Sequence, residues 1–203
     1  MAAYKSPFYL VENFISPLIC EDIIDSCNYT VPDRDIHNKV IKTIRPCESA
    51  EHIIYDRLME LMPDVEQHYG IQYKGTERIM FEWFPSSSVG EFICENSQRL
   101  RDKWVRTKNR DLSAILFLSD FQDAAHFDSE YEVYGGRLEF VQHRFSFKPQ
   151  RGTLVIFPSD PHFINITTEV LAGDAYQARI QMTSKESFKY NISNFPGDYT
   201  KWF

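Results

Sequence analysis

The chain has 203 residues, 43% hydrophobic and 15% aromatic, with 16 Phe and 11 Tyr, which is enough for a packed core and excludes a disordered or low-complexity chain. Its 22 basic and 29 acidic residues give a net charge of −7, which argues against nucleic acid or an anionic membrane as partner and favours a small molecule or another protein. The four cysteines, Cys20, Cys27, Cys47 and Cys94, form no CxxC pair and read as reduced thiols, so neither a disulfide framework nor a zinc site is expected.

The start MAAYKSPFYL lacks the basic head and apolar core of a signal peptide, and no apolar run approaches the ~20 residues of a membrane span. A cytoplasmic, non-secreted protein is expected, and the Asn-x-Ser/Thr matches at Asn28, Asn165 and Asn191 then carry no glycan.

An extended stretch from Tyr4 to Val11 comes first. Ser16 then caps a helix with Pro17 at its first position, Glu21 and Asp22 in its early turns, and Leu18, Ile19, Ile23 and Ile24 on one face. That helix should end by Asn28 or Tyr29. A strand is predicted over Lys39 to Ile44. A second helix, capped by Ser49, should run to about Met62 with Ile53, Ile54, Leu58, Leu61 and Met62 as its apolar stripe.

From Thr76 strands dominate. Arg78 to Phe84 is aromatic and β-leaning, and Pro85 to Gly90 is a loop. Gln98 to Arg110 concentrates Arg99, Arg101, Lys103, Arg106, Lys108 and Arg110, and reads as a solvated loop or as a surface for an anionic partner. Leu112 to Leu118 is a buried strand, Gln122 to Tyr134 a polar insertion, and Gly135-Gly136 a turn. Gly136 to Val141, Phe145 to Phe147, Thr153 to Phe157 and Gly173 to Met182 supply further strands, with His162 in the loop Pro158 to Asn165. Short, closely spaced strands predict a sandwich or a jelly roll. The tail from Lys185 ends in the aromatics Tyr199, Trp202 and Phe203, which cover the chain's own body or anchor a partner.

This order of elements resembles the prolyl 4-hydroxylase-like branch of the iron(II)/2-oxoglutarate oxygenases, most closely the small versions encoded by tailed phages. The resemblance rests on Phe14-Ile15-Ser16-Pro17 with Cys20, on Leu112 to Leu118 with Gly135-Gly136 and Leu138-Glu139-Phe140, and on Lys148-Pro149-Gln150-Arg151-Gly152 with Leu154 to Phe157. It implies an α+β fold: a double-stranded β-helix, or jelly roll, at about 76–184, with N-terminal helices from about 8–75 packed on one sheet. The whole chain is then one domain with an aromatic tail over 185–203.

The resemblance also implies a site. Iron(II) held by two His and one carboxylate leaves positions open for 2-oxoglutarate and O₂, and a basic residue takes the cosubstrate's distal carboxylate. His162 falls at the distal ligand position. The His-x-Asp/Glu register lands on Ile93-Cys94-Glu95, so Glu95 is the candidate carboxylate while isoleucine replaces the first histidine. Ala175 stands where the basic residue is expected, and Arg179, four positions on and on the same strand face, is its candidate substitute. His126-Phe127-Asp128 is a literal His-x-Asp, out of register, that His162 or His143 would complete.

Two functions follow. One is a degenerate oxygenase-like protein used as a non-catalytic scaffold, a phage virion or assembly component with protein partners, in the host cytoplasm or the virion. The other is an active iron(II)/2-oxoglutarate-dependent hydroxylase with a non-standard iron site.

Overall fold

Alternating side-chain direction along a strand lets one sheet serve two cores, and this chain uses its main sheet that way. The computed structural model describes residues 6–27 and 42–186. In chain order these form β1 (Tyr9–Val11), α1 (Pro17–Asp25), β2 (Lys42–Ile44), α2 (Glu48–Tyr69), β3 (Tyr73–Thr76), β4 (Met80–Phe84), β5 (Ser97–Leu100), β6 (Lys103–Arg106) and β7 (Leu112–Phe117). There follow β8 (Asp120–Gln122), β9 (Glu132–Gly135), β10 (Leu138–Phe140), β11 (Phe145–Phe147), β12 (Leu154–Pro158), β13 (Asn165–Thr167), β14 (Val170–Gly173) and β15 (Ala175–Ser184).

The main sheet has the order β1-β12-β7-β15-β4-β2, with β3 pairing the far end of β15. Its pairs are antiparallel. One face packs on the helices: Ala114 and Leu116 of β7, Leu154 and Ile156 of β12, and Tyr176, Ala178, Ile180 and Met182 of β15 share a buried cluster with α1 and α2. The other face meets two small sheets, β11-β10-β13 and β14-β9-β8. Ile115, Phe117, Val155 and Phe157 pack there against Leu138, Phe140 and Phe163, while Phe84 and Ala175 pack against Val133 and Val170. Helices on one sheet of an antiparallel jelly roll is the expected α+β class.

Local signals explain the helices. Ser16 caps α1, its hydroxyl accepting from the Ile19 amide at 3.3 Å, and Pro17 opens it. Leu18 is solvent-exposed rather than on the packed face, whose buried residues are Cys20, Ile23 and Ile24, with Ile19 partly buried beside them. The helix α2 differs more from expectation. It starts after Cys47, not Ser49, and continues through Pro63 to Gly70, which closes it in the left-handed conformation at φ 68. Its buried stripe is Ala50, Ile54, Leu58, Met62, Val65 and Tyr69, and Ile53 faces outward. Proline interrupts a helix at a cost of about 3 kcal/mol. Burial of Val65 and Tyr69 offsets it, and the Tyr69 hydroxyl lies 2.8 Å from the carbonyls of Pro7 and Ile156, tying helix, N-terminal segment and sheet together.

Other differences lie at strand level. The predicted loop over Gln98 to Arg110 holds all but the first residue of the hairpin β5-β6, and the polar insertion starts on the last residue of β8 and runs into β9. β13 and β14 were not expected as strands; each has only three or four residues, too few for periodicity to register. Residues 28–41 of the predicted first-helix end and first strand, and the aromatics of the tail, lie outside the described residues. Among the described residues, no helix is long and apolar enough to cross a membrane.

Gly152 is a turn residue hydrogen-bonded both to Ile15, just before α1, and to Phe117 of β7. It sits at φ +80, and a Cβ there would run into the Ile15 carbonyl oxygen. Gly152→Ala is therefore expected to lower unfolding free energy by about 2–4 kcal/mol. Gly75→Ala, where a Cβ meets nothing within 4 Å, should change it by less than about 0.5 kcal/mol. Urea denaturation midpoints at constant m-value check both.

Candidate functional site

On the sheet face that meets the small sheets, β15 presents Ala175, Gln177, Arg179 and Gln181 in alternation, all buried. The period of two thus puts Arg179 on the face of Ala175. Three long polar side chains on a strand buried along its length need partners, because an unpaired buried charge costs several kcal/mol.

The partners come from four other places in the chain. The Arg179 Nε donates to both carboxylate oxygens of Glu82 on β4, at 3.4 and 3.3 Å, and its Nη1 donates to Glu95 and to Asn165 Oδ1 on β13. Glu82 also accepts from Gln177 Nε2 at 2.6 Å, and Glu95 accepts from Gln181 Nε2 at 2.7 Å. The Gln181 carbonyl accepts from the Ser113 hydroxyl, which lies 2.6 Å from that of Ser159. Arg110 continues the line outward: its Nη1 is 3.6 Å from Glu95, and its other edge grips Glu77 at 2.7 and 2.5 Å.

Charges therefore alternate from interior to surface as Glu82, Arg179, Glu95, Arg110, Glu77. Burial by itself would lower the Arg179 pKa, but Glu82 and Glu95 outweigh it and hold the guanidinium above its ordinary value. At the exposed end, the Arg110 hydrogen bond keeps the Glu77 carboxyl below the usual glutamate value.

Glu95 owes its place to the segment Ile93 to Asn96, which runs beside β13 and the turn after β12. Ile93 exchanges backbone hydrogen bonds with Asn165 at 2.8 and 3.1 Å, and the Asn96 amide donates to the Ser159 carbonyl. His162 lies in a 3-10 turn, Pro161–Phe163, whose cap is Asp160. The Asp160 carboxylate accepts from the His162 amide at 3.0 Å and lies 2.9 Å from the His162 Nδ1. His143 is wedged against the rings of Phe163 and Phe8, and burial pushes its pKa down to about 4. His126 and Asp128 are exposed in the insertion, with Phe127 between them turned against Gly173.

The residues singled out by the sequence are thus only partly brought together. Glu95 and Arg179 do meet, but as each other's counter-charge. A carboxylate that accepts from one guanidinium and one amide, with a second guanidinium nearby, has its oxygens committed, and a metal cation beside it would face those positive charges. Arg179 is likewise engaged on both edges by carboxylates, so a cosubstrate carboxylate would have to displace Glu82 or Glu95. Ile93 offers no donor. Among the described residues, no three His, Cys, Asp or Glu side chains come together as a set able to hold a metal ion. The donors present do not fit the iron and 2-oxoglutarate that this kind of barrel implies.

Sequence reasoning missed Glu82, Gln177, Gln181, Ser113 and Arg110. One signal was there: Gln177, Arg179 and Gln181 alternate in a run otherwise apolar enough to be buried on both faces.

No protein-family model matches the chain, and no curated protein matches it by sequence. Solved structures do match. The viral collagen prolyl hydroxylase from Paramecium Bursaria Chlorella virus-1, in its 2-oxoglutarate complex, superposes with a TM-score of 0.65 at 14% identity over 92% of this chain and 100% of that one. A prolyl hydroxylase from Trichoplax adhaerens, in complex with a hypoxia inducible factor peptide, gives 0.60 at 16% identity, covering 88% of this chain and 84% of that one. A Pseudomonas putida prolyl-4-hydroxylase gives 0.57 at 16% identity over 91% and 95%. The fold is that of these prolyl hydroxylases.

Breaking the ladder on one side leaves buried charge uncompensated. Arg179→Met is expected to cost about 3–5 kcal/mol, and adding Glu82→Gln and Glu95→Gln to it should recover much of that loss. Simple additivity of the three in denaturant titrations would show the groups to be uncoupled. His143 gives a pH signature. Its folded pKa of about 4 lies below the 6.5 of the free side chain, so between these values the unfolded chain binds a proton that the folded chain refuses. Its contribution is complete above about pH 6.5 and is lost as pH falls toward 4, by up to about 2–3 kcal/mol. The stability profile of His143→Phe should be flatter across that window.

Proposed function

We propose that this chain, built on the prolyl 4-hydroxylase fold, works as a non-catalytic protein scaffold, a virion or assembly component of a tailed phage whose partners are other proteins. The observation that carries the reading is the pairing of Glu95 and Arg179. The residues nearest in kind to an iron ligand and a cosubstrate anchor neutralise one another inside the barrel. A cavity that has to bind a charged cosubstrate and open again does not place a strand of Gln, Arg and Gln in saturated hydrogen bonds across its interior. Ordered, paired polar groups rigidify a core and fix its register, which suits a scaffold. The likeness to prolyl hydroxylases supports the barrel, and fold alone does not carry activity. The phage setting rests on the sequence resemblance.

One observation favours the alternative, an active hydroxylase with a non-standard site. The second carboxylate oxygen of Asp160, Oδ2, is buried and accepts no hydrogen bond from the described residues, close to His162. Iron taken there would have one histidine and one carboxylate from the chain, one ligand short of the usual set.

The two readings separate in one titration. Purified protein mixed anaerobically with Fe(II) and 2-oxoglutarate is expected to show no metal-to-ligand charge-transfer band, and no succinate after oxygen is admitted. A band that saturates near one iron per chain overturns the scaffold reading.

A further inference from the structure

The basic stretch singled out in the sequence is not absorbed by the closed barrel. Among the described residues, its Ser97–Leu100 and Lys103–Arg106 strands pair only with each other. Every residue from Gln98 to Arg106 is exposed, including Leu100 at 55%, Trp104 at 37% and Val105 at 42%. A two-stranded hairpin with two open faces gains little from its own packing. Yet its foot is firmly held. Arg106 donates to buried Asp111 at 2.9 Å, the amides of Thr107 and Lys108 donate to the Asn96 carbonyl at 2.8 and 3.0 Å, and the Ser97 hydroxyl donates to Asn96 Oδ1. The hairpin is presented rather than merely left over.

Its charge says to what. Arg99, Arg101 and Lys103 at the tip enter no ion pair among the described residues. Residues 97–110 hold six basic side chains and one acidic, a balance of +5 in a chain of −7, so the remainder carries −12. By strand register Arg99 pairs with Trp104 on one face, while Leu100 and Val105 share the other, so each face combines an apolar group with a cation. The same chain offers a matching surface. A groove of about 550 Å³ opens beside the first turns of α2, its lining including Glu48, Glu51, Glu77, Arg78, Tyr55 and Ile79. Arg78 pairs with Glu51 at 3.1 Å, and the three glutamates leave the groove acidic beside its apolar groups, as the hairpin is basic beside its own. Through Arg110, which holds Glu77, the foot of the hairpin adjoins this groove. Neighbouring patches of opposite charge on one surface are complementary between two copies of the same chain.

We propose that the basic hairpin of one copy docks in the acidic groove beside α2 of a second copy, so that the chain self-associates through charge pairing around a small apolar contact. This deepens the scaffold reading by naming a partner. It is tested apart from that reading: iron titration probes the barrel, and mass in solution probes the hairpin.

The test is light-scattering mass on the full chain. At ~0.05 M salt the mass should be at least twice the 23.9 kDa of one chain, and at ~1 M salt, where the screening length is about 3 Å, it should fall to one chain. Arg101→Glu with Lys103→Glu should give one-chain mass at low salt, and so should Glu48→Lys with Glu51→Lys, each with unchanged circular dichroism. Mixing the two variants restores one intact hairpin and one intact groove, and a species of two chains should reappear. A one-chain mass for the unmodified protein at low salt overturns the proposal, as does association that survives the hairpin reversal or a mixture that stays at one chain. Retention of a single-stranded DNA oligonucleotide by an otherwise one-chain protein, lost in the hairpin variant, would assign the hairpin to nucleic acid instead and also overturn it.

Discussion

The guanidinium of Arg179 is the constraint around which the interior of this barrel is arranged. It is 2% exposed and lies between two carboxylates contributed by β4 and by the segment after it. Taking an ion out of water costs several kcal/mol even after relaxation, and attraction to one partner seldom returns all of it. The surrounding amides and hydroxyls matter for that reason. Gln177 satisfies Glu82, Gln181 satisfies Glu95, and Ser113 with Ser159 satisfies Gln181, so each polar group that enters the interior through these residues meets another. The arrangement is specific to one register. A slip of β15 by one residue would turn Arg179 into the helix-facing core and expose Ala178 to the carboxylates.

The same interaction couples parts of the fold far apart in sequence. Glu95 stands on a segment bridged to β13 through Ile93 and Asn165, and its neighbour Asn96 accepts the amides at the foot of the β5-β6 hairpin. Arg110, just past that foot, reaches Glu95 inside and Glu77 outside. The barrel interior and the segment just past the hairpin's foot thus share one set of ion pairs.

Much of the fold was legible because its strongest terms are local and periodic. Ser16-Pro17 marks the start of a helix wherever it packs, and Leu112 to Leu118 and Thr153 to Phe157 are apolar enough to be buried in any arrangement. The end of α2 was not legible, because Pro63 signals a stop and only tertiary burial of Tyr69 and Val65 overrides it. The hairpin was hidden for the opposite reason: with both faces solvated it shows no alternation for periodicity to find. In the site, the departures at Ile93 and Ala175 were visible as missing donors. What filled the space was only half visible. The alternation of Gln177, Arg179 and Gln181 announces a polar interior, but their partners come from Glu82 and Glu95, and only the fold decides which side chains meet.

Two carboxylates facing the inside of a barrel set an electrostatic problem with few solutions. They can recruit a metal cation or be matched by cationic side chains. A metal needs donors that leave positions open, and Ile93 supplies none. Arginine needs no such donors, since its charge is permanent and its planar fork meets a carboxylate on each edge, as Arg179 does with Glu82 and Glu95. Removing Arg179 alone would therefore not uncover an iron site. It would reinstate the charge problem without the histidine that a metal solution requires, so a metal-binding interior would demand at least two coordinated changes, at positions 93 and 179.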